Sequence, residues 1–159
     1  MATKVEPVPI AASPLTPYIC CKDAKGAIDF YKKAFNAEEV MRMEDPKSGK
    51  IGHAEIRIGM AQLFLSDEYP EMKTLSPVTL GGTPVMLHLY VKDVDAFTQR
   101  AVTAGLTVER PVENMFYGDR AGSFKDPYGH KWWISSHVED VSPDELKKRA
   151  EKMHKEHQP

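Results

Sequence analysis

Two histidines stand inside apolar, strand-like stretches: His53 in IGHAEIRIG (51–59) and His88 in PVMLHLYV (84–91). A neutral imidazole can accept or donate a hydrogen bond, move a proton or ligate a metal near physiological pH. Asp119 and Arg120 are adjacent in YGDRAGSFK (117–125). A guanidinium there offers a bidentate grip on a carboxylate or other anion. Alternatively, Arg120 pairs with Asp119 or another carboxylate such as Glu55 and serves the architecture. Trp132 and Trp133 follow, preceded by Phe116 and Tyr117. Aromatic walls suit planar, apolar or cationic groups. There is no Ser-His-Asp order, no P-loop and no Rossmann glycine pattern.

Alternation along strands decides which of these residues can act together. His88 shares a face with Met86 and Tyr90, and reads equally as a ligand contact or as a satisfied histidine in a mixed core. His53, Glu55 and Arg57 form one strand face too polar for a dry core. Trp132 and Trp133 point to opposite faces, so one belongs to the core and the other lines a cavity or an interface. Cys20 shares a face with Tyr18. It is counted as a lining residue rather than a nucleophile.

The chain that must position these groups has 159 residues, of which 42% are apolar and 28% charged. That suits one ordinary soluble domain or two small modules. A formal charge of −2 gives no basis for nucleic-acid binding. No apolar run reaches the length of a membrane span, and the N-terminus lacks a signal-peptide core, so no membrane partner is expected. Cys20 and Cys21 are the only cysteines. Adjacent strand residues bridge poorly, which points to a reduced, cytoplasmic protein.

Residues 1–13 read as an N-terminal tail. LTPYICC is a strand, and Asp23 caps a helix whose stripe is Ala24, Ala27, Ile28, Tyr31, Ala34 and Phe35. AEEVMRME is a strand, DPKSGK a turn, and IGHAEIRIG with AQLFLSDE a hairpin. Residues 69–83 read as a polar linker. The order then repeats. PVMLHLYV is a strand, and Asp93 caps a helix carrying Val94, Phe97, Ala101 and Ala104 that Gly105 stops. LTVERPV is a strand, and the Trp-containing segment supplies a closing hairpin. Asp126-Pro127-Tyr128-Gly129 is its turn, with His130 expected at the surface. Residues 142–156 form a last helix with a Ser142–Glu145 capping box and Pro143 at its first position. It is expected to pack on this subunit or on a partner.

The repeat holds at a shift of 70: Cys21-Lys22-Asp23 matches Val91-Lys92-Asp93, and Ile19, Ala34 and Gly59 meet Leu89, Ala104 and Gly129. Each half reads β-α-β-β-β, with modules at about 14–68 and 84–138. A half of this size has little core and two sheet edges. Paired halves are expected to enclose a concave surface where a small ligand fits.

These residues resemble a known family. Paired β-α-β-β-β modules, CKDAKGAIDFYKKAF after the first strand and FKDPYGHKWWI at the end are similar to the vicinal oxygen chelate superfamily, which includes glyoxalase I, extradiol dioxygenases and bleomycin-resistance proteins. IGHAEIRIG, LHLYVKDVDA and HVEDVSPDELKKR resemble its PhnB-like branch. The resemblance implies an α+β fold whose paired modules make a curved, incomplete mixed-sheet barrel around a cleft, spanning residues 14–138, with residues 139–159 as a C-terminal helix and tail.

Enzymes of that superfamily hold a divalent metal through four strand positions, which the resemblance maps onto Thr16, Leu63, Met86 and Trp133. A slip of two residues gives Tyr18, Leu65, His88 and Ser135. Only His88 is a good ligand, and one imidazole does not hold a catalytic divalent ion. The expectation is therefore a metal-independent protein without a cofactor. It would bind a small molecule in the cleft, with Tyr18, Cys20, His53, Met86, His88, Tyr90, Phe116, Arg120 and Trp133 lining it, most simply as a homodimer. The alternative is a metal-dependent lyase or dioxygenase with displaced ligands.

Overall fold

The computed structural model describes Pro7 and residues 13–156. The expected N-terminal tail therefore lies almost wholly outside the described residues. The chain forms two compact units, Met1–Gly82 and Thr83–Pro159.

In the first unit the order is β1 (Tyr18–Cys21), α1 (Ala24–Phe35), β2 (Glu38–Glu44), β3 (Ile51–Ile58) and β4 (Ala61–Asp67). The sheet runs β1-β4-β3-β2, with β1 and β4 parallel and the other pairs antiparallel. Asp23 caps α1 by accepting the Gly26 N–H at 2.9 Å. Asn36 ends the helix in the left-handed region, at φ 55°. The expected stripe, Ala24, Ala27, Ile28, Tyr31, Ala34 and Phe35, is buried along with Ala54, Ile56, Leu63 and Leu65 of the sheet. Each fully buried Ile, Leu or Phe contributes roughly 1.5–3 kcal/mol, so this helix-covered face carries most of the unit's stability.

The second unit repeats the plan with β5 (Met86–Tyr90), α3 (Val94–Ala104), β6 (Thr107–Asn114), β7 (Asp119–Lys125) and β8 (Lys131–His137). Its sheet runs β5-β8-β7-β6, again with the first pair parallel. Asp93 accepts the Ala96 N–H at 3.0 Å, and Gly105 ends α3 at φ 121°. This α+β architecture, two β-α-β-β-β units, is the one the sequence repeat predicts.

Four details differ from the sequence reading. The register pairs Tyr18 with Phe64 and His88 with Trp133. The first-unit counterpart of Trp133 is therefore Phe64, at a shift of 69, and not Leu63. The offset falls before the closing hairpin: Glu55 and Ser123, the partners of Phe64 and Trp133, are related by a shift of 68, and the longer β7–β8 turn around Asp126–His130 restores one residue. Residues 69–83 are also more than a polar linker. They contain a 3-10 turn (Pro70–Met72) and a short helix, α2 (Pro77–Leu80). Ser76 caps α2 and is fully buried, and the Glu68 carboxylate accepts from Ser76 N, Ser76 Oγ and Thr79 Oγ1 at 3.1, 2.8 and 2.7 Å.

His130 is buried rather than exposed. The Asp126 carboxylate gathers Tyr128 N, His130 N and Trp132 Nε1 at 3.0, 3.0 and 2.8 Å, which folds the turn back on itself. The last helix, α4 (Pro143–Glu156), makes half of its capping box. Ser142 Oγ accepts from Glu145 N at 3.3 Å, while the Glu145 carboxylate is taken by Arg149 at 2.9 Å. Arg149 also reaches Glu139 at 2.7 and 2.8 Å and Phe116 O at 3.4 Å, tying α4 to its own unit.

One device recurs in both units. The first amides of a helix have no intrahelical acceptor. Asp67 at the end of β4 accepts the Ala24 N–H at 2.8 Å, and Ser136 near the end of β8 accepts the Val94 N–H at 2.9 Å. The second Asp67 oxygen also accepts the Ile51 N–H at 2.7 Å. Asp67→Ala strands two buried amides at about 1–3 kcal/mol each, so urea unfolding should show a loss of roughly 2–5 kcal/mol. Ser136→Ala strands one and should lose about half as much. Equal losses from the two variants would refute this account.

Candidate functional site

The face of the second sheet away from α3 collects Met86, His88 and Tyr90 from β5 with Trp133 and Ser135 from β8 and Asp119 from β7. Met86, His88 and Tyr90 are exposed, Trp133 is half-buried, and Ser135 and Asp119 are buried. His88 Nε2 and Ser135 Oγ lie 2.7 Å apart, and the His88 ring stacks on Tyr90 at 4.5 Å between centroids. Tyr90 donates to Asp119 at 2.8 Å, and the other Asp119 oxygen meets His137 Nδ1 at 2.8 Å. His137 Nε2 reaches Asp140 at 2.9 Å.

The electrostatics follow from these contacts. Partial desolvation of the His88 ring outweighs the nearby Asp119 charge and lowers its pKa, favouring a neutral imidazole. Donation to Asp119 raises the Tyr90 phenol, because the carboxylate holds its proton. His137 is raised by Asp140 and then Asp119, both of which favour the imidazolium.

Phe116 and Tyr117 sit in the turn before β7 as an edge-to-face pair at 5.4 Å. Trp132, Trp133's neighbour, is buried on the helix side, as strand alternation requires. Arg120 is not brought to this face. It lies opposite Ser136, on the α3 side, and grips Asp95 with two nitrogens at 2.7 and 2.8 Å and Asn114 at 3.2 Å. Its carboxylate partner is Asp95, rather than Asp119 or Glu55. The adjacency of Asp119 and Arg120 already required opposite faces, whereas nothing in the sequence singled out Asp95.

The first sheet presents a second cluster on its face away from α1. Tyr18 Oη is 2.9 Å from His53 Nδ1, and His53 Nε2 is 3.3 Å from Glu55 Oε1. Gln62 Nε2 donates to Glu55 Oε2 at 3.1 Å, and Phe64 lies edge-on to both Tyr18 and His53. Cys20 is half-buried on the same face. Its thiol is pushed up to about 11 by burial and by the Glu68 and Asp67 charges, which makes it a poor nucleophile. The role of Glu55 as the partner of His53 is the feature that reading His53 alone did not supply, although alternation had placed both on one face.

Residues 11–134 match the family described as the Glyoxalase/Bleomycin resistance protein/Dioxygenase superfamily. The chain belongs to this superfamily. An uncharacterized protein of Mycobacterium bovis is 45% identical over 149 residues, covering 92% of this chain and 93% of that protein. Among solved structures, TioX from Micromonospora sp. ML1 has a TM-score of 0.63 and 24% identity, covering 80% of this chain and 100% of that one. A structure described as a putative 3-demethylubiquinone-9 3-methyltransferase, PhnB protein, from Bacillus cereus has a TM-score of 0.60 and 16% identity, covering 78% and 99%. The two structural likenesses concern the fold.

The residues present do not fit the metal that superfamily resemblance implies. With the register corrected, the strand positions on the open faces are Thr16 and Tyr18, Phe64 and Ser66, Met86 and His88, Trp133 and Ser135. They supply one imidazole and no carboxylate. Among the described residues no group of three or more His, Cys, Asp or Glu side chains stands where it would hold a metal ion.

The two histidines of the second cluster should act on stability with opposite sign. A lowered His88 pKa means that the unfolded chain protonates first, so stability falls as pH drops below about 6.5. A raised His137 pKa gives stability that is full below about 6.5 and is lost as pH rises through the folded value. Thermal unfolding across pH 5–8 should therefore show a flatter acid limb for His88→Gln and a steeper one for His137→Gln. The same change of slope in both variants would contradict the assigned contacts.

Proposed function

We propose that this chain is a metal-independent small-molecule binder of the PhnB-like branch, working as a homodimer in the cytoplasm. The observation that carries the reading is the second sheet's open face. Exposed Tyr90 (60%) and Met86 (48%) stand beside half-buried Trp133 and a neutral His88 anchored on Ser135. Aromatic surface with a few fixed polar groups is what a planar or cationic ligand needs. The likeness to PhnB from Bacillus cereus supports the branch. Val40, Met41 and Met43, exposed along the edge strand β2, offer apolar surface for a second copy. Cys20 and Cys21 stand as thiols, which suits a reducing compartment. No helix is long and apolar enough to cross a membrane among the described residues.

The test is elemental analysis of untagged protein combined with a thermal-shift screen of planar aromatic and cationic compounds. Metal should be far below one equivalent, and a chelator should leave Tm unchanged. A ligand at a hundred times its Kd adds about 2.7 kcal/mol, a shift of several degrees. Trp133→Ala should abolish that shift. Stoichiometric Mn, Fe, Ni or Zn would instead establish the metal-dependent alternative. Hits that survive Trp133→Ala would move the ligand off this face.

A further inference from the structure

The first sheet's open face carries chemistry that reversible binding does not use. We propose that Tyr18, His53 and Glu55 form an acyl-transfer site, with the Tyr18 phenol as nucleophile, His53 as its base and Glu55 as the group that orients His53, acting on small activated esters. It stands on different residues from the binding reading and does not depend on it.

Glu55 Oε1 lies 3.3 Å from His53 Nε2. A carboxylate accepts, so Nε2 carries the imidazole proton and Nδ1 is left as an acceptor. Tyr18 Oη sits 2.9 Å from that acceptor, against 3.4 Å to Gly52 O, so its one hydrogen goes to His53. Gln62 Nε2 holds the second Glu55 oxygen at 3.1 Å, which fixes the carboxylate. Phe64 packs against the Tyr18 and His53 rings at 6.0 and 5.1 Å, which fixes the geometry. Nucleophile, base and orienter within hydrogen-bond reach form the general signature of an activated hydroxyl. Tyr18 is 52% exposed, so an electrophile can reach it.

The other five tyrosines stand in different surroundings. Tyr31 is fully buried. The Tyr90 proton is held by Asp119, a group that raises the phenol rather than relieving it. Burial raises Tyr69 and Tyr117. Tyr128 is half-buried and lies in the turn held by Asp126.

The step balances without a co-reactant. Tyr18 Oη forms a bond to the acyl carbon while its proton passes to His53 Nδ1. The resulting imidazolium is stabilised by Glu55. The ester C–O bond breaks, and the departing oxygen takes the proton back from His53. Acyl-Tyr18 remains; solvent water then adds to its acyl carbon, the bond from that carbon to Tyr18 Oη breaks, and the carboxylic acid leaves as the Tyr18 hydroxyl regains its proton.

The probe is p-nitrophenyl acetate, with acetylation of each tyrosine timed by peptide mass spectrometry on the full chain. Tyr18 should acetylate at least about tenfold faster than Tyr90, Tyr117 or Tyr128 in the wild-type protein, a comparison that needs no variant. Tyr18→Phe keeps the ring contacts and should lose the fast nitrophenol release. His53→Phe should slow Tyr18 acetylation by about tenfold or more. Glu55→Gln keeps an acceptor for Nε2 but removes the charge, and should fall between. A Tyr18 rate equal to that of the other tyrosines, or one unchanged by His53→Phe in a folded variant, would overturn the proposal.

Discussion

Both units depend on one junction, where the last strand reaches back to satisfy the first amide of the helix. A parallel strand pair needs a crossover connection, and here α1 and α3 supply it. The crossover leaves a helix N-terminus buried against the sheet, where an amide without an acceptor is costly. Asp67 and Ser136 remove that cost from below, while Asp23 and Asp93 cap the same helices from the side. The first unit solves the problem with a carboxylate that also holds Ile51 at the start of β3. The second uses a hydroxyl that accepts from Val94 and donates to Val91 O. Helix entry and the end of the closing strand are tied together by this contact on one side of the sheet, and the faces opposite the helices are left to carry other chemistry.

Signals of this local kind were legible in the residues. Asp23 and Asp93 announce their helices, Gly105 ends one, and period-two alternation marks β3 unambiguously. The shift of 70 exposes the duplication because the spacing from strand to helix cap, Tyr18 to Asp23 and His88 to Asp93, is the same in both halves. The signal fails where turn length intervenes. Differences ahead of β3 and β7 take two residues off the offset, and the longer turn after β7 restores one, which puts Phe64 rather than Leu63 opposite Tyr18. A one-residue slip exchanges the faces of a strand, so metal-ligand positions carried over by count alone land on the wrong side. Helix α2 escaped for a different reason. Four residues are too few to show a period, although Ser76, Pro77 and Gly81 spell its start and stop.

The site was legible as faces and less so as partners. His88 with Tyr90, and His53 with Glu55, follow from alternation. That Tyr90 gives its proton to Asp119, or that Arg120 turns to Asp95, depends on which strands lie side by side and on the helix above them. Arg120 shows the limit of reading a residue by type. A guanidinium suited to an anion is here committed to a carboxylate of its own unit, and Asp95 is correspondingly lowered by Arg120. Asp126 makes a similar point, since a turn residue by composition becomes the acceptor for three donors and draws His130 inward.

The same scaffold therefore carries two unlike clusters. Phe64 and Trp133 occupy equivalent places, as do Tyr18 and His88, yet the surrounding polar groups differ. In the first unit the phenol meets a base, and the base is held by Glu55. In the second the phenol meets a carboxylate directly, and the imidazole meets a serine. The direction of the proton follows from that exchange. A phenol bonded to imidazole has somewhere to send its proton, whereas a phenol bonded to carboxylate is held in its neutral form. Chemistry is thus expected from the first face and recognition from the second, a division that rests on side chains placed by alternation and not on the fold the two units share.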